Sequence, residues 1–79
     1  MAELERKPEE PIEGALYRHF KGKLYRVLYL ARHSETLEWM VVYQQQYGEH
    51  GIWVRPLAMF LEQVPGAQGM VARFARCPR

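Results

Sequence analysis

The chain is poor in the residues that usually announce a chemistry. It has a single cysteine, Cys77, which excludes an internal disulfide framework and a four-cysteine metal site. A lone thiol near one end is ordinary for a cytosolic protein. No apolar run approaches the roughly 18 residues that a membrane-spanning helix needs. The first thirteen residues are charged and hold no apolar segment of the secretory kind. A soluble, cytoplasmic protein is the expectation, with no membrane among its partners. No G-x-S-x-G elbow, phosphate-cradling glycine loop or internal repeat is present. Gln44-Gln45-Gln46 is too short a tract to count as low complexity.

What the chain does have is core material. At 79 residues it is one small domain, and a domain near this size buries only about 60% of its unfolded-chain surface. Its core must therefore be dense in large side chains, and Trp39, Trp53, Phe20, Phe60, Phe74 and five tyrosines are available.

Charge is unevenly placed. Residues 1–13 carry five acids against two bases, a net of −3, which leaves residues 14–79 at +5 within an overall +2. A mildly basic body suits anions or nucleic acid, although no basic run exceeds two residues and an ordinary solvated surface carries as much. The leader, with Pro8 and Pro11 among glutamates, has too little apolar content to offset ordering entropy and reads as flexible. Glu3 to Lys7 could form one helical turn before Pro8 ends it. The domain is expected to span 14–76, with 77–79 frayed.

Local patterns within the domain read as strands. Ala15 to Phe20 alternates imperfectly and is a first strand, followed by a Lys21-Gly22 turn in which Gly22 supplies a positive φ. Lys23 to His33 is long and apolar on both faces at its middle, so it should be bent, each half burying a different face. His33 to Thr36 connects it to a third strand, Glu38 to Gln46. Trp39, Val41 and Tyr43 lie on one face of that strand and Met40, Val42 and Gln44 on the other, and alternation does not say which is inside. Tyr47 to Gly51 turns the chain into a short fourth strand, Ile52 to Arg55, which Pro56 ends. Pro56 suits the first position of a helical turn. Leu57, Phe60 and Leu61 at spacings of three and four fit such a turn closing a barrel mouth. Residues 65–69 read as a flexible loop and Met70 to Arg76 as the last strand. The fold class is mainly β: a small, SH3-like, partly open antiparallel barrel of about five strands, with one short helical turn before the last strand. A β-meander with a helix on its face is the alternative.

Three groups could carry chemistry. His19, His33 and His50 show no metal-ligand spacing, and a site would need the fold to converge them. His33-Ser34-Glu35 has hydrolase residue types, but neighbours in sequence diverge where a triad must converge. Trp53 and Arg55 share a face of the fourth strand, opposite Ile52 and Val54. If Val54 faces the core, the Trp-Arg pair faces outward or borders a groove with Tyr43, Tyr47 and Arg73. Such a set suits peptide anchoring, base stacking or cation–π contacts. Alternatively Trp53 covers the core and Arg55 stacks on it.

Several blocks are also familiar together: Tyr17-Arg18-His19-Phe20-Lys21-Gly22, Ala31-Arg32-His33-Ser34-Glu35-Thr36, Val42-Tyr43, Tyr47-Gly48, Trp53-Val54-Arg55-Pro56 and Arg73-Phe74. In that order they resemble the small bacterial family called domain of unknown function 1653, from about Gly14 to Phe74. The resemblance implies an SH3-type barrel and no catalytic residue or cofactor. It directs attention to the polar and aromatic positions of the blocks: Arg18, His19, Arg32, His33, Ser34, Glu35, Tyr43, Trp53, Arg55 and Arg73. Leu37 stands where the family pattern has a turn glycine, so a wider tip is expected after Thr36. Tyr29 replaces a small residue at the bend.

The expectation is a non-enzymatic binding module for a protein segment or nucleic acid, monomeric by default and without cofactor or metal. Its candidate ligand-binding residues are Arg18, Arg32, His33, Tyr43, Trp53, Arg55 and Arg73. The alternatives are a small enzyme or metal-binding protein using His19 and His33, and a structural accessory domain.

Overall fold

The computed structural model describes residues 6–78. Most of the suggested helical turn at Glu3 to Lys7 therefore lies outside the described residues, as does Arg79. Seven strands and one helical turn follow in order: β1 (Leu16–His19), β2 (Leu24–Arg32), β3 (Trp39–Gln45), β4 (Ile52–Pro56), α1 (Leu57–Phe60), β5 (Gln63–Gly66), β6 (Gly69–Ala72) and β7 (Phe74–Arg76). Five strands form one antiparallel sheet in the order β4-β3-β2-β1-β7, and β5 and β6 form a separate hairpin. The large sheet curls without closing, so among the described residues β4 and β7 are its edges. No helix among the described residues is long and apolar enough to cross a membrane.

The bend in β2 is a β-bulge. Val27 pairs with Tyr43 and Tyr29 with Val42, so Leu28 is an extra residue with no partner on β3. An extra residue reverses which side chains point inward. Val27 before the bulge and Leu30 after it are both buried, while Tyr29 is 66% exposed. This is how a strand apolar on both faces buries each half differently. It also places the large Tyr29 side chain on the outer face, largely in solvent.

The inner face of the sheet carries the core: Tyr17, Val27, Leu30, Val41, Tyr43 and Phe74, with Phe60 from α1 against them. On β3 the inward residues are thus Val41 and Tyr43. The turn α1 begins after Pro56, which caps it rather than occupying its first position. It seals the inner face with Phe60, which is fully buried, and the half-buried Leu57. Leu61 stays 45% exposed, since a single turn presents only a narrow stripe to the sheet.

Three expectations need correction. Residues 63–72 form a hairpin, with Val64 opposite Val71 and a Gly66–Gly69 close, where a loop and the start of a long strand were expected. Gly69 adopts φ +123° to make that turn. The last strand is only Phe74–Arg76, because the chain breaks at Arg73, whose backbone bonds Glu62 and Phe20 instead of a ladder. Phe20, counted among the core material, is 38% exposed.

Contacts of the domain also begin before Gly14. Pro11 is buried, and Ile12 donates its N–H to the Tyr17 hydroxyl at 2.9 Å. The Glu13 carboxylate accepts the Leu30 N–H at 2.8 Å. Pairing of β1 with β2 stops at Leu16–Arg26, so beyond it a side chain satisfies a strand donor that the ladder leaves open. At the other end, the Cys77 N–H donates to the Leu16 carbonyl at 2.9 Å.

Candidate functional site

Register decides which candidate residues meet. Trp53 lies opposite Tyr43, and Arg55 opposite Val41, on the inner face of the sheet. Val54 pairs with Val42 on the outer face and is 59% exposed. The condition that Val54 faces the core is therefore not met. Trp53 and Arg55 point to the core side instead, at the rim where the sheet curls past α1.

The Arg55 Nε–H donates to the Tyr43 hydroxyl at 3.2 Å, and its guanidinium lies 5.8 Å from the Phe74 ring centre. Trp53 does not carry that guanidinium. Its indole N–H donates to Oε1 of Gln45 at 2.6 Å, fixing the ring at the surface. Gly51 leaves room for this bond, since a Cβ there would meet both Gln45 Oε1 and Trp53 Nε1 at 3.3 Å.

Inward from this rim the aromatic rings pack edge to face. Tyr25 meets Tyr43, Tyr47, Phe74 and His19 at centroid distances of 5.5, 5.6, 5.6 and 6.3 Å. The Tyr25 and Tyr47 hydroxyls lie 2.6 Å apart. Burial, then this hydrogen bond, pushes the Tyr25 phenol up to about 12, so it keeps its proton at neutral pH. Lys23 sits over the Tyr47 ring at 4.5 Å.

His19 completes the face. Its ring packs on Phe74 at 5.0 Å and Phe20 at 4.7 Å, and its Nδ1 accepts the Lys21 N–H at 3.2 Å. Burial holds its pKa below the ordinary 6.5, and the positive charges of Arg55, Arg73 and Lys21 lower it further. The charges that lower it are all cations, although Arg73 is itself paired with Glu62.

The seven candidate residues divide. Tyr43, Trp53 and Arg55 stand together. Arg73 borders them but is committed to structure: its guanidinium bonds the Met59 carbonyl at 3.1 Å and the Glu62 carboxylate at 3.0 Å. Arg18 points to the outer face and bonds the Gly22 carbonyl at 3.0 Å. Arg32 and His33 sit at the β2–β3 turn. Arg32 donates to the Leu37 carbonyl at 2.7 Å and covers Trp39, and His33 Nδ1 accepts the N–H groups of Glu35 and Thr36. Sequence reasoning omits Tyr25, Gln45 and Phe74 from the face and reaches His19 only through the family blocks and the metal alternative. Alternation places Tyr25 and Phe74 on strand faces, but only cross-strand register shows that those faces meet.

His19 lies beside Lys23 at the start of β2 and His33 just past its end, about 30 Å along the strand at the usual rise per residue, so they share no site. Among the described residues no three of His, Cys, Asp or Glu group together. A cavity of about 350 Å³ lies away from the aromatic face, on the outer side between Ile12, Leu16, Arg26 and Cys77. Its lining includes no histidine or carboxylate to act as a base beside the thiol, and Arg26 is already bonded to the Gly14 carbonyl at 2.7 Å. We place the candidate site at the aromatic-arginine face, where polar groups and an exposed ring converge.

Comparison with known proteins agrees with the blocks read in the sequence. Residues 15–76 match the family model described as protein of unknown function, DUF1653. The chain belongs to this family. A crystal structure of a member from Bordetella bronchiseptica is similar at 37% identity and a TM-score of 0.74, over 86% of this chain and 90% of that one. A search of curated proteins finds no match. The family blocks therefore fall on β1, the β2–β3 turn, β3, β4 and the start of β7, the elements that build the aromatic face and the far hairpin tip.

Proposed function

We propose that this DUF1653 domain is a non-enzymatic binding module whose inner sheet rim takes an anionic, unpaired nucleic-acid segment. The observation that carries the reading is a half-exposed Trp53 ring on the same face as Arg55 and as His19, an imidazole on which Arg55, Arg73 and Lys21 act as positive charges. Gln45 holds the Trp53 ring and the Tyr43 hydroxyl holds the Arg55 guanidinium, so little side-chain freedom remains to be lost on binding. Base stacking on an aromatic face contributes about 1–3 kcal/mol per base and tolerates any base. Arg55 on that face and Lys23 over the Tyr47 ring supply cations for a phosphate backbone.

Trp53 fluorescence reports the test directly once Trp39 is replaced by Phe. Short single-stranded oligonucleotides should quench it, with affinity that falls steeply with salt. Arg55→Gln and Trp53→Ala should each weaken binding while circular dichroism stays unchanged. Quenching by peptides that does not respond to salt supports a protein segment as the ligand instead. Absence of binding to either class leaves the structural accessory role.

A further inference from the structure

We infer that β4 is a dimerisation edge, along which a second copy of this chain pairs antiparallel about a two-fold axis at Val54. The inference stands apart from the ligand reading, since it rests on the backbone and the order of side chains along one strand.

The two sheet edges are treated differently. β7 has three residues, ends in Arg76, and is followed by Cys77 and Pro78. Short length, charge and proline all blunt an edge. β4 has five residues and presents Ile52, Trp53 and Val54 in succession at 60%, 56% and 59% exposure. Its one charged residue, Arg55, turns inward to Tyr43.

Backbone direction is fixed by one bond. Gln45 N–H donates to the Gly51 carbonyl at 3.0 Å, and the pairs that follow are Gln44–Ile52, Tyr43–Trp53, Val42–Val54 and Val41–Arg55. Antiparallel bonds alternate from residue to residue. Trp53 and Arg55 therefore direct their N–H and C=O groups at β3, while Ile52 and Val54 direct theirs at the open side. Pro56 also falls on the open side, where its missing N–H breaks no existing ladder.

The strand is complementary to itself about Val54. Val54 opposite the partner's Val54 exchanges both backbone bonds. Each Ile52 N–H meets the carbonyl of the partner's Pro56. Trp53 then stands opposite the partner's Arg55 on the inner face, in a pair without backbone bonds, where side chains approach most closely. On the outer face the row Tyr29, Val42, Val54 continues into the same row of the partner, covering the exposed apolar stripe. Slipping this register by one residue loses both matches. The inner faces of the two copies also become one surface, with both Trp53–Arg55 pairs at its centre.

A five-residue edge lies at the low end of interface sizes, below about 1,200 Å² in total, so association should depend on concentration. Sedimentation equilibrium over a wide concentration range should show the mass rising toward twice that of one chain. In amide exchange, Ile52 and Val54 should become protected only at dimer concentrations, while Trp53 and Arg55 are protected throughout. Val54→Lys and Val54→Glu should each be monomeric with an unchanged monomer spectrum, and mixing the two should restore the dimer. One-chain mass at the highest concentrations would overturn the inference. So would a dimer in which the Ile52 and Val54 amides still exchange freely, or one that survives in both variants.

Discussion

The rings of Phe60 and Phe74 lie parallel within 3°, their centres 4.1 Å apart. This contact ties the helical turn after β4 to the last strand, although the two are joined through the separate β5–β6 hairpin. Tyr17 and Tyr43 then pack edge-on against Phe60 at 5.6 and 5.4 Å. The inner face of an open sheet is sealed by these few rings. Their removal should be felt across the whole domain.

Phe60→Ala should cost about 3–5 kcal/mol, the usual range for a fully buried aromatic. A domain of this size has a total stability of only about 4–12 kcal/mol, so the variant should be near its unfolding midpoint or beyond it. Phe60→Leu keeps most of the volume and should cost less than half as much. Urea unfolding of the two variants checks the order.

Leu37 is held at φ +66° and is 62% exposed. Its N–H donates to the His33 carbonyl at 2.8 Å, closing the β2–β3 tip. The left-handed region costs an L-residue about 1–2 kcal/mol, while glycine loses about 0.5–1 kcal/mol more chain entropy on folding. Leu37→Gly should therefore stabilise by about 0.5–1 kcal/mol, read as a higher midpoint with an unchanged denaturant slope.

Glu13 makes the fold sensitive to acid. The Leu30 N–H, then Lys7, hold its carboxyl below the ordinary 4.5. A carboxyl depressed in the folded state contributes stability that is present above its unfolded value and lost as pH falls through the folded one. Thermal unfolding from pH 5 downward should show this loss, and Glu13→Gln should flatten that part of the profile. Amide exchange at Leu30 should rise in the same variant.

His19 should link pH to binding. Its folded pKa lies below 6.5, from burial and then from Arg55, Arg73 and Lys21. The unfolded chain thus binds the proton more readily, and the His19 contribution to stability is present above 6.5 and lost as pH falls through the folded value. A bound anion opposes the same cations and should raise the His19 pKa. Oligonucleotide affinity should then increase as pH falls below neutrality, and His19→Gln should remove that increase without abolishing binding. Imidazole resonances followed with and without oligonucleotide measure the shift.

Much of the fold was legible because β patterns are local. The turn at Gly22 follows from one residue's backbone, while β4 runs one residue past the expected Arg55 to Pro56, which pairs with Met40. The bend of β2 followed from apolar residues on both of its faces, and the bulge at Leu28 is its physical form. The hairpin at residues 63–72 was missed because Pro65 and two glycines read as loop, and only pairing across Val64 and Val71 holds it as strand. At the candidate site, Trp53 and Arg55 were visible as a pair on one face. Their direction stayed open, because Ile52 and Val54 look like core residues and stand outside at the open edge of the sheet.

Alone, the order of residues determined a mainly β domain, the family it belongs to and the aromatic-arginine pair worth attention, since alternation, glycine, proline and short blocks act over a few positions. Only the tertiary structure decided that β3 turns Val41 and Tyr43 inward, that His19 and Arg55 share one positive face, and that Arg18, Arg32 and His33 serve turns. Those outcomes depend on register between strands distant in sequence, and a shift of one position there would send every side chain to the other face.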